Sequence, residues 1–246
     1  MHDRCFTGRA GVDFNPRLVE LFLSLSRRES FWLDIEPNNI DYALETCFPK
    51  IDTPLGRDDL QHIFLVFSHL VDVKSRFTRK HSIGLAEKAK QYSLTCNFSQ
   101  EHQDDFITAA LLHDIGKIAV PIEVLDRPSR LTPAEFQRMT THPYYTRKIV
   151  SMMGIGDKIA AWAANHHEKL DGSGYPYGLG AEEMDFKSRA LGFLDIFQAL
   201  TESRPYRNAF SQEKAFTIID SMVEAGKIDG GGVKIGRESF ARSTQA

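Results

Sequence analysis

Cysteine is scarce in this chain. Cys5, Cys47 and Cys96 are odd in number, far apart, and form no C-x-x-C pair, which argues against both a thiolate zinc site and a disulfide framework. Such usage fits a reducing cytoplasm. Long apolar runs are also missing: the longest stretch of large apolar side chains, Ile63 to Phe67, covers five residues, against about twenty for a membrane helix. Met1-His2-Asp3-Arg4-Cys5 has no apolar segment behind its charges and does not read as a secretory signal. No sign of charge dominates, with 30 Lys and Arg against 33 Asp and Glu, a net of −3. A basic footprint for a nucleic-acid polymer is therefore absent, and an anionic substrate has to be held by local cations or metal. The expectation is a soluble, cytoplasmic protein whose partners include neither membrane nor nucleic-acid polymer.

Alternating strands of five residues or more are missing too, so the class reads as all-α. The 246 residues suffice for one sizeable core and an extension, at about 150 residues per domain. Thr132-Pro133-Ala134-Glu135 is a capping box with proline at the first helical position; its helix should stop near His142-Pro143. A helix from about Tyr144 to Met153 follows, then one capped by Asp157 and running to about His167. Further helices are expected from about Lys187 to Glu202 and from Ser211 to Gly226. Upstream, Ser99 opens a helix through His113, and Arg57 to Thr95 reads as one or two long helices.

The first 55 or so residues differ in texture, with Asn15-Pro16, Pro37-Asn38-Asn39, Pro49 and Pro54-Leu55-Gly56 breaking short helices. The expected division is a helical N-terminal extension over 1–70 and one domain over 71–246. A short echo links Ala10-Gly11, Phe14-Asn15-Pro16 and Leu18-Val19 to Ala225-Gly226, Ile228-Asp229-Gly230 and Gly232-Val233. It reads either as the tail of a degenerate copy of the downstream domain or as coincidence.

Five of the nine histidines make sense together: His81, His113, His142, His166 and His167. A single buried histidine is usually a satisfied core group, but these have company. His113-Asp114 ends the apolar run Ala109 to Leu112, and His166-His167-Glu168 ends the apolar helix Ile159 to Ala164. Polar ligand types in such surroundings are costly unless something satisfies them. Adjacent histidines point about 100° apart on a helix, so both reach one metal only at a frayed end. Asp114 and Asp195 add carboxylates to the set. Imidazole with carboxylate and no thiolate suits iron, manganese or zinc. Other histidines read as bland: His62 and His69 as packing or solvated, His2 and His102 as exposed. The stripe Ile63, Phe64, Phe67, Leu70 and Val71 is most simply core, with a dimer seam as the alternative.

The stretches His113-Asp114-Ile115-Gly116-Lys117 and His166-His167-Glu168-Lys169-Leu170-Asp171-Gly172-Ser173-Gly174-Tyr175-Pro176 resemble the HD-GYP family of bacterial cyclic-dinucleotide phosphodiesterases. Asp195-Ile196-Phe197-Gln198-Ala199-Leu200 and Arg204-Pro205-Tyr206-Arg207 are similar to that family's next blocks. The likeness runs from about Asp72 to Phe240. It implies an HD-type helical bundle and two divalent metal ions per chain: His81, His113, Asp114 and Asp195 on one, Asp114, His142, His166 and His167 on the other, with Asp114 bridging. Iron or manganese comes first, with zinc, nickel or magnesium as alternatives. A hydroxide bridging two metals is the expected nucleophile for an in-line phosphoryl displacement. The catalytic residues implied are Asp114 and Lys117, which stands one turn past His113 on the same helix face.

Substrate holding is assigned to Gly174, for close backbone approach and a positive φ, to Tyr175, and to Arg204 and Arg207, whose planar forks suit phosphate. The expected substrate is cyclic di-GMP, with 3′3′-cyclic GMP-AMP as the alternative. Two other outcomes stand beside these: a nucleotide phosphohydrolase of the wider HD superfamily, and a sensor that binds the dinucleotide and signals through its N-terminal helices, whether to a protein partner or a second copy. Two departures stand out. Phe77 occupies the place of a third-metal glutamate found in some members, so two metals are expected. Gln198 replaces a frequent aspartate, a change expected to weaken a pairing with Lys117.

Overall fold

A computed structural model describes residues 8–47, 54–74, 81–127, 129–203 and 208–242 of the chain. Helices dominate, and among the described residues there is no strand, only the isolated bridges Ala10–Phe14 and Asp171–Gly180. The class is all-α, as expected. No helix among the described residues is long and apolar enough to cross a membrane.

The chain divides into two compact units, Met1–Pro54 and Leu55–Ala246. The first holds α1 (Pro16–Leu25), α2 (Glu29–Asp34) and α3 (Ile40–Cys47). Asn15 caps α1 by accepting from the Arg17 amide at 2.9 Å. Phe22, Phe31 and Trp32 meet edge-to-face, and the Trp32 indole donates to the Ser26 carbonyl. The echoed segments share a local form. Each has a positive-φ glycine, Gly11 or Gly226, ahead of a helix start where Asn15 or Asp229 accepts an amide two residues on.

The second unit begins with α4 (Arg57–Lys74). The boundary expected at residue 70 thus falls inside α4, which packs on α5 (His81–Thr95) and α6 (Gln100–Leu112). Within Arg57 to Thr95, the described residues form α4 and α5. The α4 stripe is split: Phe64 and Val71 are buried, while Ile63, Phe67 and Leu70 are exposed.

After α6 come a 3₁₀ turn (Ile115–Ala119), α7 (Ile122–Leu125), α8 (Pro133–Met139), α9 (His142–Met152), α10 (Asp157–Ala164), a second 3₁₀ turn (Asn165–His167), α11 (Phe186–Thr201), α12 (Gln212–Glu224) and α13 (Gly230–Arg242). Most boundaries fall near their expected places, and the differences have causes. The Thr132–Glu135 capping box forms in full, but α8 stops at Met139 because the Thr140 and Thr141 hydroxyls bond back to the Gln137 and Arg138 carbonyls. Helix α9 starts at His142 with Pro143 in its first turn, where proline loses no helical bond. Asp157 sits inside the first turn of α10, and Gly156 takes the cap position. Helix α13 was not expected from its sequence, since three glycines open it and glycine is a poor helix former. It forms because Val233 and Phe240 are buried, with Phe240 stacked 4.7 Å from Phe197 of α11.

The core lies between α5, α6, α10, α11, α12 and α13. Leu85, Ala89 and Tyr92 of α5 face Phe106, Ala109 and Leu112 of α6, and Leu191, Phe193 and Leu194 of α11 close over them. Small residues on α6 and α10, such as Ala110 and Ala163, let these helices approach closely. The polar ends of α6 and α10, and Asp195 in the middle of α11, are thereby brought to the N-termini of α5 and α9.

Candidate metal centre

The seven residues singled out from the sequence as metal ligands converge here. His113 follows the last residue of α6 and Asp114 precedes the 3₁₀ turn. The helix breaks between Leu112 and Ile115, so Lys117 does not continue the face of His113, contrary to expectation. The break swings Lys117 back, and its Nζ lies 2.5 Å from Asp114 Oδ2.

Asp114 is the hub. Its Oδ2 is 3.2 Å from His113 Nε2, and its Oδ1 is 3.3 Å from His142 Nε2 and 3.9 Å from His166 Nε2. Asp195, from α11, lies 3.0 Å from His81 Nε2, 3.9 Å from His113 Nε2 and 3.9 Å from His167 Nδ1. The donors of His81, His113 and Asp114 form one group and those of His142, His166 and His167 another, with the atoms of each group within 4.8 Å of one another. All of these residues are buried except His167, which is partly exposed.

Local structure dictates where the ring nitrogens point. In His113, His142 and His166 the Nδ1 faces the carbonyl three residues back: Ala110 at 2.8 Å, Met139 at 2.7 Å and Ala163 at 2.6 Å. A carbonyl only accepts, so each Nδ1 carries hydrogen and each neutral ring has its lone pair on Nε2. These Nε2 atoms turn inward. Those of His142 and His166 face each other at 3.3 Å, and the buried His113 Nε2 makes no hydrogen bond. Two facing lone pairs repel, and a buried acceptor with no partner is costly, so a cation among them satisfies all three. Carboxylates and imidazoles are the donor set that intermediate divalent metals take. The residues fit a metal centre.

Electrostatics agrees. Burial alone would raise Asp114, but its histidine neighbours and the Lys117 ammonium outweigh it and hold the carboxyl well below its ordinary range. Burial likewise opposes ionisation of Asp195, and the His81 bond overcomes it. Burial lowers His166 and takes His167 down to about 3, keeping both rings neutral.

Close packing explains two glycines. A Cβ on Gly116 would meet the His142 carbonyl oxygen at 2.0 Å and the Thr146 nitrogen at 2.5 Å, so only glycine lets α9 approach the 3₁₀ turn. Thr146 ties the junction, accepting from the Gly116 amide and donating to the His113 carbonyl. Gly174 is also needed for closeness, but toward the backbone of Glu168 at 2.4 Å. The positive φ expected at Gly174 is found instead at Gly172 and Gly178. Glu168 folds the following turn around itself, accepting from the Tyr177 and Leu179 amides, and this sets Tyr175 over His167 with ring centroids 4.8 Å apart.

Gln198 does not pair with Lys117, as its replacement of an acid had suggested. Its Oε1 accepts from Lys88 at 2.6 Å, and its Nε2 lies 3.4 Å from Glu202 Oε2. Glu202 is a residue the sequence reading passed over. It lies 3.1 Å from His81 Nδ1 and caps the C-terminus of α11, seven residues, or about two turns, after Asp195. That spacing was the available signal. Arg204, Arg207 and Phe77 lie outside the described residues.

A family model described as an HD domain matches residues 65–231. The chain belongs to the HD domain family. Its relatives bear out the HD-GYP resemblance. It is 34% identical over 226 residues to a 3′3′-cGAMP-specific phosphodiesterase of Vibrio cholerae serotype O1, covering 89% of this chain and 52% of the relative. It is 32% identical over 170 residues to a cyclic di-GMP phosphodiesterase of Thermotoga maritima, covering 67% of this chain and 45% of the relative. A crystal structure of a cyclic GMP-AMP specific phosphodiesterase of V. cholerae superposes with a TM-score of 0.51 at 28% identity, over 97% of this chain and 55% of that one. This HD domain protein spans about half the length of the curated relatives it matches. HD domains depend on metal, and the histidine–aspartate groups described above are where this one can bind it.

Proposed function

We propose that this chain is a metal-dependent phosphodiesterase that opens a cyclic dinucleotide, and that 3′3′-cyclic GMP-AMP is the better substrate, with cyclic di-GMP second. The order differs from the sequence expectation. It follows the relatives that align over 89% and 86% of this chain, both named as 3′3′-cGAMP-specific. The observation that carries the activity is Asp114, ringed by imidazoles whose Nε2 lone pairs face one another in a buried pocket.

In this reading His81, His113, Asp114 and Asp195 hold one divalent ion, and Asp114, His142, His166 and His167 hold a second. Iron or manganese is favoured. When bound, such a pair lowers the pKa of water toward neutrality and offsets charge on the phosphoryl oxygens. The chain supplies orientation around it. The three backbone carbonyls fix the tautomers of His113, His142 and His166, so no ring has to turn over before ligation. Lys117, on Asp114, presents an ammonium to a phosphate oxygen or to the leaving oxygen. Burial raises the Tyr175 phenol, so its hydroxyl keeps the proton it donates to phosphate. Gly174 and Glu168 hold that turn in place, and Arg204 and Arg207 grip the phosphates. Water adds across one P–O3′ bond, its oxygen going to phosphorus and a proton to the departing ribose oxygen, which leaves a linear dinucleotide. A cytoplasmic location suits such a substrate.

The test is anaerobic purification, elemental analysis, and turnover of both dinucleotides side by side. Metal-dependent linearisation, faster with 3′3′-cyclic GMP-AMP, is expected. Metal-replete protein that binds but cleaves neither would make the chain a sensor.

A further inference from the structure

One exposed aromatic beside the centre has no part in the function proposed above. Phe136 on α8 is 53% exposed, while Leu131 and Met139, on either side of it in the sequence, pack against Val120, Val124 and Leu125. Its ring stands edge-on to Tyr175, with centroids 6.3 Å apart at 79°. Tyr175 leans over His167, and His167 lies 4.1 Å from His166. A continuous run of rings therefore leads from the buried imidazoles out to solvent, ending at Phe136.

Phe136 is held firmly in that position. The Met139 carbonyl, one turn further along α8, accepts from His142 Nδ1 at 2.7 Å, so the helix is bolted to the centre. The capping box at Thr132 and Glu135 pins its other end. A T-shaped contact covers only part of a ring and leaves the rest for a flat π-surface.

We propose that Phe136 is the stacking platform for one purine base of the cyclic dinucleotide, with Tyr175 between it and the reacting phosphate. The inference rests on the proposed function and adds a base subsite to it. A nucleobase sits a whole sugar away from its phosphate, and Phe136 sits one ring beyond the tyrosine assigned to the phosphate. Every base has a π-face, so a platform of this kind adds affinity without telling guanine from adenine. Phe136 thus serves 3′3′-cyclic GMP-AMP and cyclic di-GMP alike, and base choice lies elsewhere.

The test compares Phe136→Ala, Phe136→Leu and Phe136→Trp in the metal-loaded full chain. Loss of one stacking contact should raise KM about tenfold for both dinucleotides, with kcat falling far less and metal content holding. Phe136→Trp should restore the low KM, and Phe136→Leu should not, because it is apolar but has no π-face. An unchanged KM in Phe136→Ala, or rescue by leucine as complete as by tryptophan, would overturn the platform. A fall in metal content would make Phe136 a mere brace for α8 and also overturn it. Wild-type protein that neither binds nor cleaves a cyclic dinucleotide would remove the functional reading itself, whereas cleavage indifferent to position 136 removes the platform alone.

Discussion

Glu202 lies 3.1 Å from His81 Nδ1, on the opposite side of the ring from Asp195, which lies 3.0 Å from Nε2. Ionised carboxylates only accept, so a ring between two of them keeps a proton on each nitrogen. Burial works against that charge, but the hydrogen bonds to Asp195 and Glu202 overcome it and push His81 up to about 9 without metal; a metal on Nε2 would take the place of that proton and leave Glu202 holding Nδ1–H. His81 thus differs from the three histidines held by backbone carbonyls, because its orienting partner is a side chain that mutation can remove. Glu202→Ala should lower metal affinity about ten- to a hundredfold, the usual loss for a partner behind a ligand. Glu202→Gln keeps an acceptor for Nδ1–H and should recover most of it. Equilibrium metal titration of the three proteins checks this, and equal losses in both variants would count against an orienting role.

Asp114 touches both histidine groups, and no other carboxylate oxygens reach His113, His142 and His166 together at these distances among the described residues. His113→Ala and Asp114→Ala should both abolish turnover while the far-ultraviolet circular dichroism stays helical. Asp114→Ala should lose both metals, and His113→Ala one. Wild-type protein should hold two metals per chain by elemental analysis. Full activity in metal-replete Asp114→Ala, or three metals in the wild type, would contradict the two-ion arrangement.

Gly116→Ala is expected to be the most damaging methyl in the domain. The added carbon would strike backbone, at 2.0 Å from the His142 oxygen and 2.5 Å from the Thr146 nitrogen, so no side-chain rotation relieves it. Overpacking costs typically 1–3 kcal/mol, and the rigidity of the struck atoms places this change at about 3 kcal/mol. The denaturation midpoint should fall, and metal should be lost as His142 moves with α9. Thr146→Val, which removes the hydroxyl between Gly116 and His113, should destabilise less.

Much of this was legible in the sequence because the motifs are contiguous. His113-Asp114 and His166-His167 sit at helix ends where apolar runs stop, and the capping box at Thr132 and the caps at Ser99 and Ser211 mark helix starts through local chemistry. Two kinds of feature were hidden. Helix α13 is held by tertiary burial of Val233 and Phe240 against a propensity lowered by its glycines. The orientation of the imidazoles depends on carbonyls of Ala110, Met139 and Ala163, and backbone groups leave no mark in residue identity. Lys117 was misread for a related reason: the helix ends at Leu112, and the i, i+3 pairing with Asp114 replaces the i, i+4 relation to His113.

The last prediction separates holding the substrate from the chemistry. Arg204 and Arg207 are assigned to the substrate phosphates and not to metal, so Arg204→Ala or Arg207→Ala should leave metal content unchanged. A hydrogen bond to a charged group contributes about 1.5–3 kcal/mol, and each 1.4 kcal/mol is about tenfold in binding. KM for the cyclic dinucleotide should therefore rise about ten- to a hundredfold for either single loss. Turnover at saturation should fall less, because binding lost equally from ground and transition states raises KM alone. A small diester such as bis(p-nitrophenyl) phosphate cannot engage both arginines, so its hydrolysis should change little. Equal losses on both substrates, or a drop in metal content, would instead give these arginines a structural role.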